Sequence, residues 1–248
     1  MITVKTREQI ELMRKSSRIV RDTLELLCEK AKEGMTTYEL DKSAYEYIVS
    51  QGAKPSFLGY HGFPASICVS VNDVVVHGIP NKKQFLREGD VVSFDVGAVK
   101  DGWHGDAART VGIGKIDKFK QQLIDETKRC FFEAVKVVRP LSRLGDIGAA
   151  VQRHAESFGY GVVREMVGHG IGREMHESPD VPNYGVRGRG MRLEEGMVIA
   201  IEPMINMGTH KVVFDADGWT VRTEDGAVSA HYENTVAVTA DGYDILSL

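Results

Sequence analysis

Cysteine is scarce in this chain of 248 residues, which contains Cys28, Cys68 and Cys130. The three lie far apart, no two of them form a Cys-x-x-Cys pair, and an odd number cannot all be paired within one chain. A disulfide framework and a cysteine-based zinc site are therefore disfavoured. Because thiols stay reduced in the cytoplasm, we predict a cytoplasmic location.

Long hydrophobic runs are also lacking. No stretch approaches the roughly 20 apolar residues that a transmembrane helix needs. The opening residues, Met1–Glu8, contain no apolar core of signal-peptide length. We therefore expect neither a membrane span nor a secretory leader.

An excess of positive charge is absent as well. The chain has 31 Lys and Arg residues against 35 Asp and Glu residues, which gives a net charge of −4. No long basic cluster offsets this balance, so nothing attracts the whole molecule to polyanions. We predict no direct binding of nucleic acid and no binding of membranes.

The most informative feature that is present is an internal repeat. Leu86–Asp95 reappears at Leu193–Glu202, and each copy is an apolar, strand-like segment that ends on a carboxylate. A second echo follows, because His104–Asp106 is matched by His231–Glu233. Both halves run helix, helix, strand, His-Gly-Ile, carboxylate strand and final carboxylate. We predict a single catalytic domain over residues 1–248, with pseudo-repeat halves at about 1–115 and 116–248.

Helix and strand signals follow the same order in both halves. Capping boxes are formed by Thr6 with Gln9 and by Thr36 with Glu39. The predicted helices cover about 6–34, 36–52, 118–138 and 145–158, and the predicted strands include 67–71, 74–76, 91–96 and 162–167.

The carboxylate strands have one bulky face and one open face. In 91–96, the side chains of Ser93 and Asp95 share a face, while Phe94 lies on the other. The repeat alternates in the same way, with Ala200 beside Glu202. We therefore expect the bulky faces to pack on helices and the carboxylate faces to line a cavity.

A tight turn decides whether the first two carboxylates meet. If the loop within Lys100–Gly102 has two residues, Asp95 and Asp106 lie on one face within about 8 Å; a three-residue loop would separate them. Carboxylates so close raise each other's pKa unless a cation lies between them. A metal site is the first hypothesis for the four repeated acids: Asp95, Asp106, Glu202 and Glu233.

His169 is the candidate nitrogen ligand of this site. It lies in Gly168–Gly172, where glycines let the backbone approach a ligand closely. Hard oxygen ligands with one imidazole suit Mn²⁺, Fe²⁺ or Co²⁺, with Zn²⁺ also permitted, and enough carboxylates exist to bridge two ions. The alternative is that the acids are solvated residues at strand ends.

With these five residues in place, the chain resembles the type I methionine aminopeptidases, in their short bacterial form, nearly from end to end. The ligands match the order and spacing of that family. So do five short motifs: Tyr60–Phe63, Ser70–Asn72, His77–Pro80, Gly168–Gly172 and Glu202-Pro203.

The resemblance implies a fold and an activity. The fold is the α+β pita-bread fold, with two pseudo-symmetric halves around a curved antiparallel sheet and helices on its outer face. The activity is removal of the initiator methionine from nascent proteins whose second residue is small. Nascent polypeptide N-termini would be the partners, with the ribosome a further candidate and a monomer the expected state.

The resemblance also implies roles in catalysis. Asp95, Asp106, Glu202 and Glu233 would hold two divalent metals, Asp106 and Glu233 as bridges, and His169 would bind one of them. A water or hydroxide bridging the metals would attack the first peptide bond, and Glu202 is the candidate to shuttle its proton. His176 would stabilise the oxyanion and His77 would contact the scissile amide.

Further positions resemble the family's methionine pocket and its monovalent-cation site. The pocket candidates are Tyr60, Phe63, Cys68 and Trp219, beside His77 and His176; the cation candidates are Asn72, Val74 and Ser229. Met175 and Phe57 depart from the family's usual residues, which leaves the shape of the pocket open. Core packing is the alternative role for each of these histidines and aromatic residues.

Two rival functions remain. X-Pro peptidases share the metal ligands, although they usually carry an additional amino-terminal domain. A non-catalytic pita-bread module would bind peptide, protein or RNA, and we would expect it to have lost a ligand and to carry a basic patch.

Overall fold

The computed structural model describes residues 2–248, which contain four α-helices. Both capping boxes are confirmed, with Gln9 and Glu39 bonded back to the predicted caps Thr6 and Thr36. The helices are α1 (Arg7–Lys30), α2 (Thr37–Ser50), α3 (Lys118–Val135) and α4 (Leu144–Ser157), with a 3₁₀ turn at Tyr60–Gly62.

The strands of the described range are mostly short. They are β1 (Lys54–Pro55), β2 (Cys68–Val71), β3 (Val74–Val76), β4 (Val91–Lys100), β5 (Trp103–Gly112), β6 (Gly161–Val162), β7 (Gly168–Gly170), β8 (Glu177–Val181), β9 (Val198–Ile201), β10 (Met204–Asn206), β11 (Val212–Phe214), β12 (Val221–Thr223), β13 (Ser229–His231), β14 (Glu233–Val238) and β15 (Tyr243–Ile245).

One predicted strand is wrong in its extent. In place of a strand over 162–167, β6 ends at Val162 and β7 begins at Gly168. Arg164 and Glu165 lie between them and are exposed, so the chain turns at the surface there. The first helix also ends earlier than predicted, at Lys30, because Ala31 adopts an extended backbone.

One large antiparallel sheet joins the two halves. Its strands run β1-β4-β5-β14-β9-β7-β8, with β2 also paired to β4 and β15 to β14. The strands β1, β2, β4 and β5 come from the first half, and the others come from the second. The halves meet where β5 pairs with β14, with Ala108 opposite Glu233. The seam divides the sheet between the two halves, which agrees with the predicted pseudo-symmetric fold.

The β4–β5 hairpin has a two-residue loop. Lys100 pairs with Trp103, and both loop residues, Asp101 and Gly102, have positive φ angles of 53° and 75°. That conformation matches the right-handed twist of the flanking strands, and Asp-Gly is a favoured sequence for it. Because Gly97 pairs with Asp106, the side chains of Asp95 and Asp106 lie on the same face, as predicted.

The bulky faces of the carboxylate strands pack on the helices. Phe94 and Val96 of β4 are fully buried in a cluster with Leu24 and Leu27 of α1. In the second half, Ile199 and Ile201 pack in a cluster with Phe131 of α3 and Ile147 of α4. The opposite face of the sheet is thereby left to carry the carboxylates.

Two small sheets complete the fold: β13-β10-β6 and β11-β12-β3. Within residues 2–248, none of the helices is both long enough and apolar enough to cross a lipid bilayer.

Replacing Phe94 with alanine should destabilise the protein by about 3–5 kcal/mol, because the ring is fully buried and its removal leaves a cavity. The control is Phe119→Ala. The Phe119 side chain is 57% exposed, so its removal should change the free energy of unfolding by no more than about 0.5 kcal/mol. Chemical denaturation of both variants measures the difference; equal losses would contradict the assignment of Phe94 to the core.

Candidate metal centre

The four acidic side chains reach one place by different routes. Asp95 and Asp106 lie within β4 and β5, while Glu233 is the first residue of β14. Glu202 directly follows β9, and the next residue, Pro203, has no N–H with which to continue the ladder. The chain therefore leaves the large sheet there and enters β10.

An arginine fixes the strand seam beneath the acids. The guanidinium of Arg109 donates to the carbonyl oxygen of Glu233 over 2.7 Å and to Oδ1 of Asn234 over 2.8 Å. It also lies 4.4 Å from the ring centre of Tyr232. The backbone that carries Glu233 is thus held against β5.

His169 is oriented as a ligand. Its Nδ1 lies 2.8 Å from the carbonyl oxygen of Gly170, which can only accept, so Nδ1 carries the proton. The free Nε2 lies 3.6 Å from Oδ2 of Asp106 and 3.8 Å from Oε1 of Glu202. This is the tautomer and the backbone contact that metal-bound histidines use.

The flanking glycines let the His169 strand fit between its neighbours. A Cβ at Gly168 would lie 2.3 Å from the carbonyl oxygen of Ala200, and one at Gly170 would lie 2.4 Å from that of Ser178. Both contacts are with backbone atoms, which cannot yield as a side chain would. Any larger residue at either position would displace His169.

The acids lack the hydrogen bonds that buried oxygens need. Within residues 2–248, Oδ1 of Asp95, Oδ1 of Asp106 and Oε1 of Glu233 are buried and have no hydrogen-bond partner. Burial raises the pKa of Asp106 to about 8. Burial first and neighbouring carboxylates second raise the pKa values of Asp95, Glu202 and Glu233 well above their usual range. Orphaned oxygens of this kind fit divalent cations.

A second histidine belongs to this cluster. Nε2 of His231 lies 3.7 Å from Oε2 of Glu202 and 3.7 Å from Oε2 of Glu233, and burial lowers the pKa of His231 to about 3. The ligating atoms form two groups, each within 4.8 Å: Asp95 with His231 and Glu233, and Asp106 with His169 and Glu233.

Sequence reasoning missed His231 as a site residue and used it only as the repeat partner of His104. Its place two residues before a metal-site carboxylate was the available signal. That signal alone does not separate site histidines from others. His104 also lies two residues before such a carboxylate, Asp106, yet its Nδ1 lies 2.9 Å from Oγ of Ser56.

Two further histidines face the same cavity, as the resemblance implied. The ring of His176 lies 4.2 Å from that of His169, and its Nδ1 is 2.8 Å from the hydroxyl of Tyr60. Burial lowers the pKa of both His77 and His176 to about 4, so both are neutral at pH 7. His77 follows β3 and lies outside the large sheet, unlike His169 in β7.

The rest of the cavity wall is apolar. All four predicted pocket residues line it: Tyr60, Phe63, Cys68 and Trp219. Phe57 lines it as well, and Met175 is buried in the same apolar cluster as Phe57. The rings of Phe63 and Trp219 meet edge to face with centroids 5.1 Å apart.

The three residues suggested for a monovalent cation lie on neighbouring segments. The N–H of Ser229 donates to the carbonyl oxygen of Asn72 over 2.9 Å, and Val74 is buried at the start of β3. Asn72 also binds Asp90 through its side-chain amide. The cation site stays a prediction.

Comparison with known proteins identifies the family of this chain. The model of metallopeptidase family M24 matches residues 11–240. A methionine aminopeptidase of Clostridium acetobutylicum is 52% identical, over 100% of this chain and 99% of its own length. The crystal structure of methionine aminopeptidase from Rickettsia prowazekii superposes with a TM-score of 0.98 at 42% identity, covering 100% of both chains.

The chain therefore belongs to metallopeptidase family M24, and it is a hydrolase with the curled antiparallel sheet and helices of the pita-bread fold. Within that family it groups with the methionine aminopeptidases, as the resemblance predicted.

The X-Pro peptidases share this fold. A prolidase from Pyrococcus furiosus has a TM-score of 0.81 at 24% identity, and the alignment covers 99% of this chain but 65% of the prolidase. At that identity the likeness concerns the fold alone.

Stripping the centre of metal should destabilise the protein more at pH 8.0 than at pH 5.5. In the metal-free protein, burial raises the pKa of Asp106 from its ordinary value of 3.8 to about 8. This shift adds folding stability that is complete below pH 3.8 and is lost as the pH rises through 8. A metal-bound carboxylate carries no proton, so the loaded protein does not follow this decline.

The measurement is the melting temperature of Mn²⁺-loaded and EDTA-treated protein at both pH values. The difference in melting temperature between loaded and stripped protein should increase with pH. A gap that is constant or that narrows would contradict the assignment of Asp106 to the metal centre.

Proposed function

We propose that this protein removes the N-terminal methionine from nascent polypeptides whose second residue is small. It would act in the cytoplasm, as a single catalytic domain. The observation that carries the proposal is the junction of two features in one cavity: a cluster of buried carboxylates and imidazoles, and an apolar wall of aromatic rings and a thiol.

The donor set suits two divalent ions, which would be Mn²⁺, Fe²⁺, Co²⁺ or Zn²⁺. Asp95, Asp106, His169, Glu202 and Glu233 would hold them, with Asp106 and Glu233 as bridges. Glu233 belongs to both groups of ligating atoms, and Asp106 belongs to one of them. Bound there, the ions would supply a nucleophilic water of lowered pKa and polarise the carbonyl it attacks.

Glu202 is the residue we assign to proton transfer. Its carboxyl group lies between the two imidazoles, 3.8 Å from Nε2 of His169 and 3.7 Å from Nε2 of His231. From this position the carboxylate would take a proton from the attacking water and return it to the departing amine.

His176 and His77 are assigned to the substrate amide. Both are neutral at pH 7, so neither adds a fixed charge beside the substrate amide. The hydroxyl of Tyr60 fixes the ring of His176 through Nδ1, which leaves Nε2 for the carbonyl oxygen as negative charge develops on it. His77 would bind the scissile amide from the pocket side.

The apolar wall suits a methionine side chain. Thioether sulfur contacts aromatic rings favourably, by about 0.3–1.5 kcal/mol each. Phe63, Trp219, Tyr60 and Phe57 supply such rings in this cavity. The full-length similarity to methionine aminopeptidases supports the same side chain.

A peptide assay tests the proposal. Metal-loaded protein is incubated with Met-Ala-Ser, Met-Leu-Ser and Ala-Pro-Ser, and released residues are detected by mass spectrometry. We expect methionine to be released from Met-Ala-Ser and not from Met-Leu-Ser, with Ala-Pro-Ser intact. Glu202→Gln protein, prepared in the same way, shows whether a contaminating peptidase is responsible.

The other outcomes of the peptide assay would support one of the two rival functions. Cleavage of Ala-Pro-Ser alone would replace the proposal with an X-Pro peptidase. No cleavage of any peptide by folded, metal-loaded protein would favour a module that binds peptides without hydrolysing them.

His176→Gln should lower kcat by about 10²–10³-fold with little change in KM, because the lost donor acts on charge that develops in the transition state. Tyr60→Phe should have a smaller effect in the same direction, since it removes only the hydrogen bond that orients His176. Steady-state kinetics on Met-Ala-Ser measure both, and a change confined to KM would refute the oxyanion role.

A further inference from the structure

We infer that His231 is a metal ligand, so that the centre contains two imidazoles, one in each group of ligating atoms. This inference rests on the metal centre of the proposed function and extends its donor set. His231 would serve the ion held by Asp95 and Glu233, as His169 serves the ion held by Asp106 and Glu233.

The backbone of His231 is fixed from two sides. It pairs with Met204 at one end of β13. Its N–H donates to Oγ1 of Thr110 over 2.9 Å, and its carbonyl accepts from the same hydroxyl over 2.7 Å. The hydroxyl of Ser93 lies 2.7 Å from Thr110 and completes this anchor. His231 is therefore held against the strand that carries Asp106.

The ring of His231 has a free nitrogen aimed at the acids. The side chain is 1% exposed, and Nε2 has no hydrogen-bond partner among the residues that the structure describes. Its distances of 3.7 Å to Glu202 and to Glu233 are too long for hydrogen bonds. A fully buried imidazole of purely structural role would be expected to bond one of these carboxylates.

The same distances suit ligands that share an ion. Nitrogen and oxygen ligands lie roughly 2.0–2.2 Å from ions of this size. Two ligand atoms on one ion are therefore about 3–4 Å apart for ligand angles from 90° to well beyond tetrahedral. His169 shows the same spacing to its own carboxylate neighbours, at 3.6 and 3.8 Å.

A second imidazole has consequences for the metal. Imidazole favours Fe²⁺, Co²⁺ and Zn²⁺, whereas an all-oxygen site favours Mn²⁺. Loss of His231 should therefore weaken binding of Co²⁺ more than binding of Mn²⁺. The loss for Co²⁺ should reach at least the roughly 10–100-fold that removal of a merely supporting residue causes.

Counting imidazoles on the bound metal tests the inference without any reference to peptide cleavage. X-ray absorption on the fully Co²⁺-loaded protein gives the imidazoles per ion, and titration calorimetry gives the affinities for Co²⁺ and Mn²⁺. We expect two imidazoles per pair of ions in the unaltered protein, and one in His231→Gln or in His169→Gln. His104→Gln is the matched control, because His104 is the repeat counterpart that bonds Ser56, and it should keep both.

Two results would overturn the inference. One is a single imidazole in the unaltered protein, which needs no variant to be folded. The other is two imidazoles in folded His231→Gln protein, which would assign the second nitrogen to His77 or His176. Methionine release from Met-Ala-Ser with either result would leave the proposed function standing.

Discussion

The crowding of buried carboxylates is the constraint around which this fold is organised. Asp106 and Glu233 are almost wholly buried, and Asp95 and Glu202 lie beside them. Four such groups cannot all be ionised in a dry cluster unless cations balance them. The sheet, the glycines around His169 and the arginine at the seam all serve to hold these groups together against their own repulsion. The neutral histidines above them fit the same account, because burial depresses the pKa of each imidazole while it raises the pKa of each acid.

Much of this arrangement could be predicted because it depends on short-range rules. Side-chain alternation assigned Phe94 to the helices and Asp95 to the cavity, and the structure agrees. The parity of the Asp101-Gly102 loop decided the pairing of Asp95 with Asp106. The caps at Thr6 and Thr36 are equally local. The pairing of β5 with β14 could be anticipated only through the repeat, since it joins segments that are far apart in the chain.

What could not be predicted depends on strands that leave one sheet for another. The chain crosses from β9 to β10 at Glu202-Pro203, and from β13 to β14 at Tyr232. These two crossings lie side by side, since the N–H of Tyr232 donates to the carbonyl oxygen of Pro203 over 3.2 Å. His231 thereby comes to lie beside Glu202 and Glu233. The alternation of side chains within one strand does not reveal such a crossing. His104, the repeat counterpart of His231, lies within the continuous strand β5 and contacts Ser56 instead.

The seam between β5 and β14 bears on the origin of the molecule. Each half brings only part of the buried cluster of acids and imidazoles: Asp95 and Asp106 from the first, and His169, Glu202, His231 and Glu233 from the second. Asp106 and Glu233 lie in β5 and β14, the two strands that meet at the junction of the halves. An ancestral chain of half this length could have formed such a cluster only as a symmetric pair. Fusion of two copies would then have freed each half to vary separately, so that histidines could be gained and lost on one side without being copied to the other.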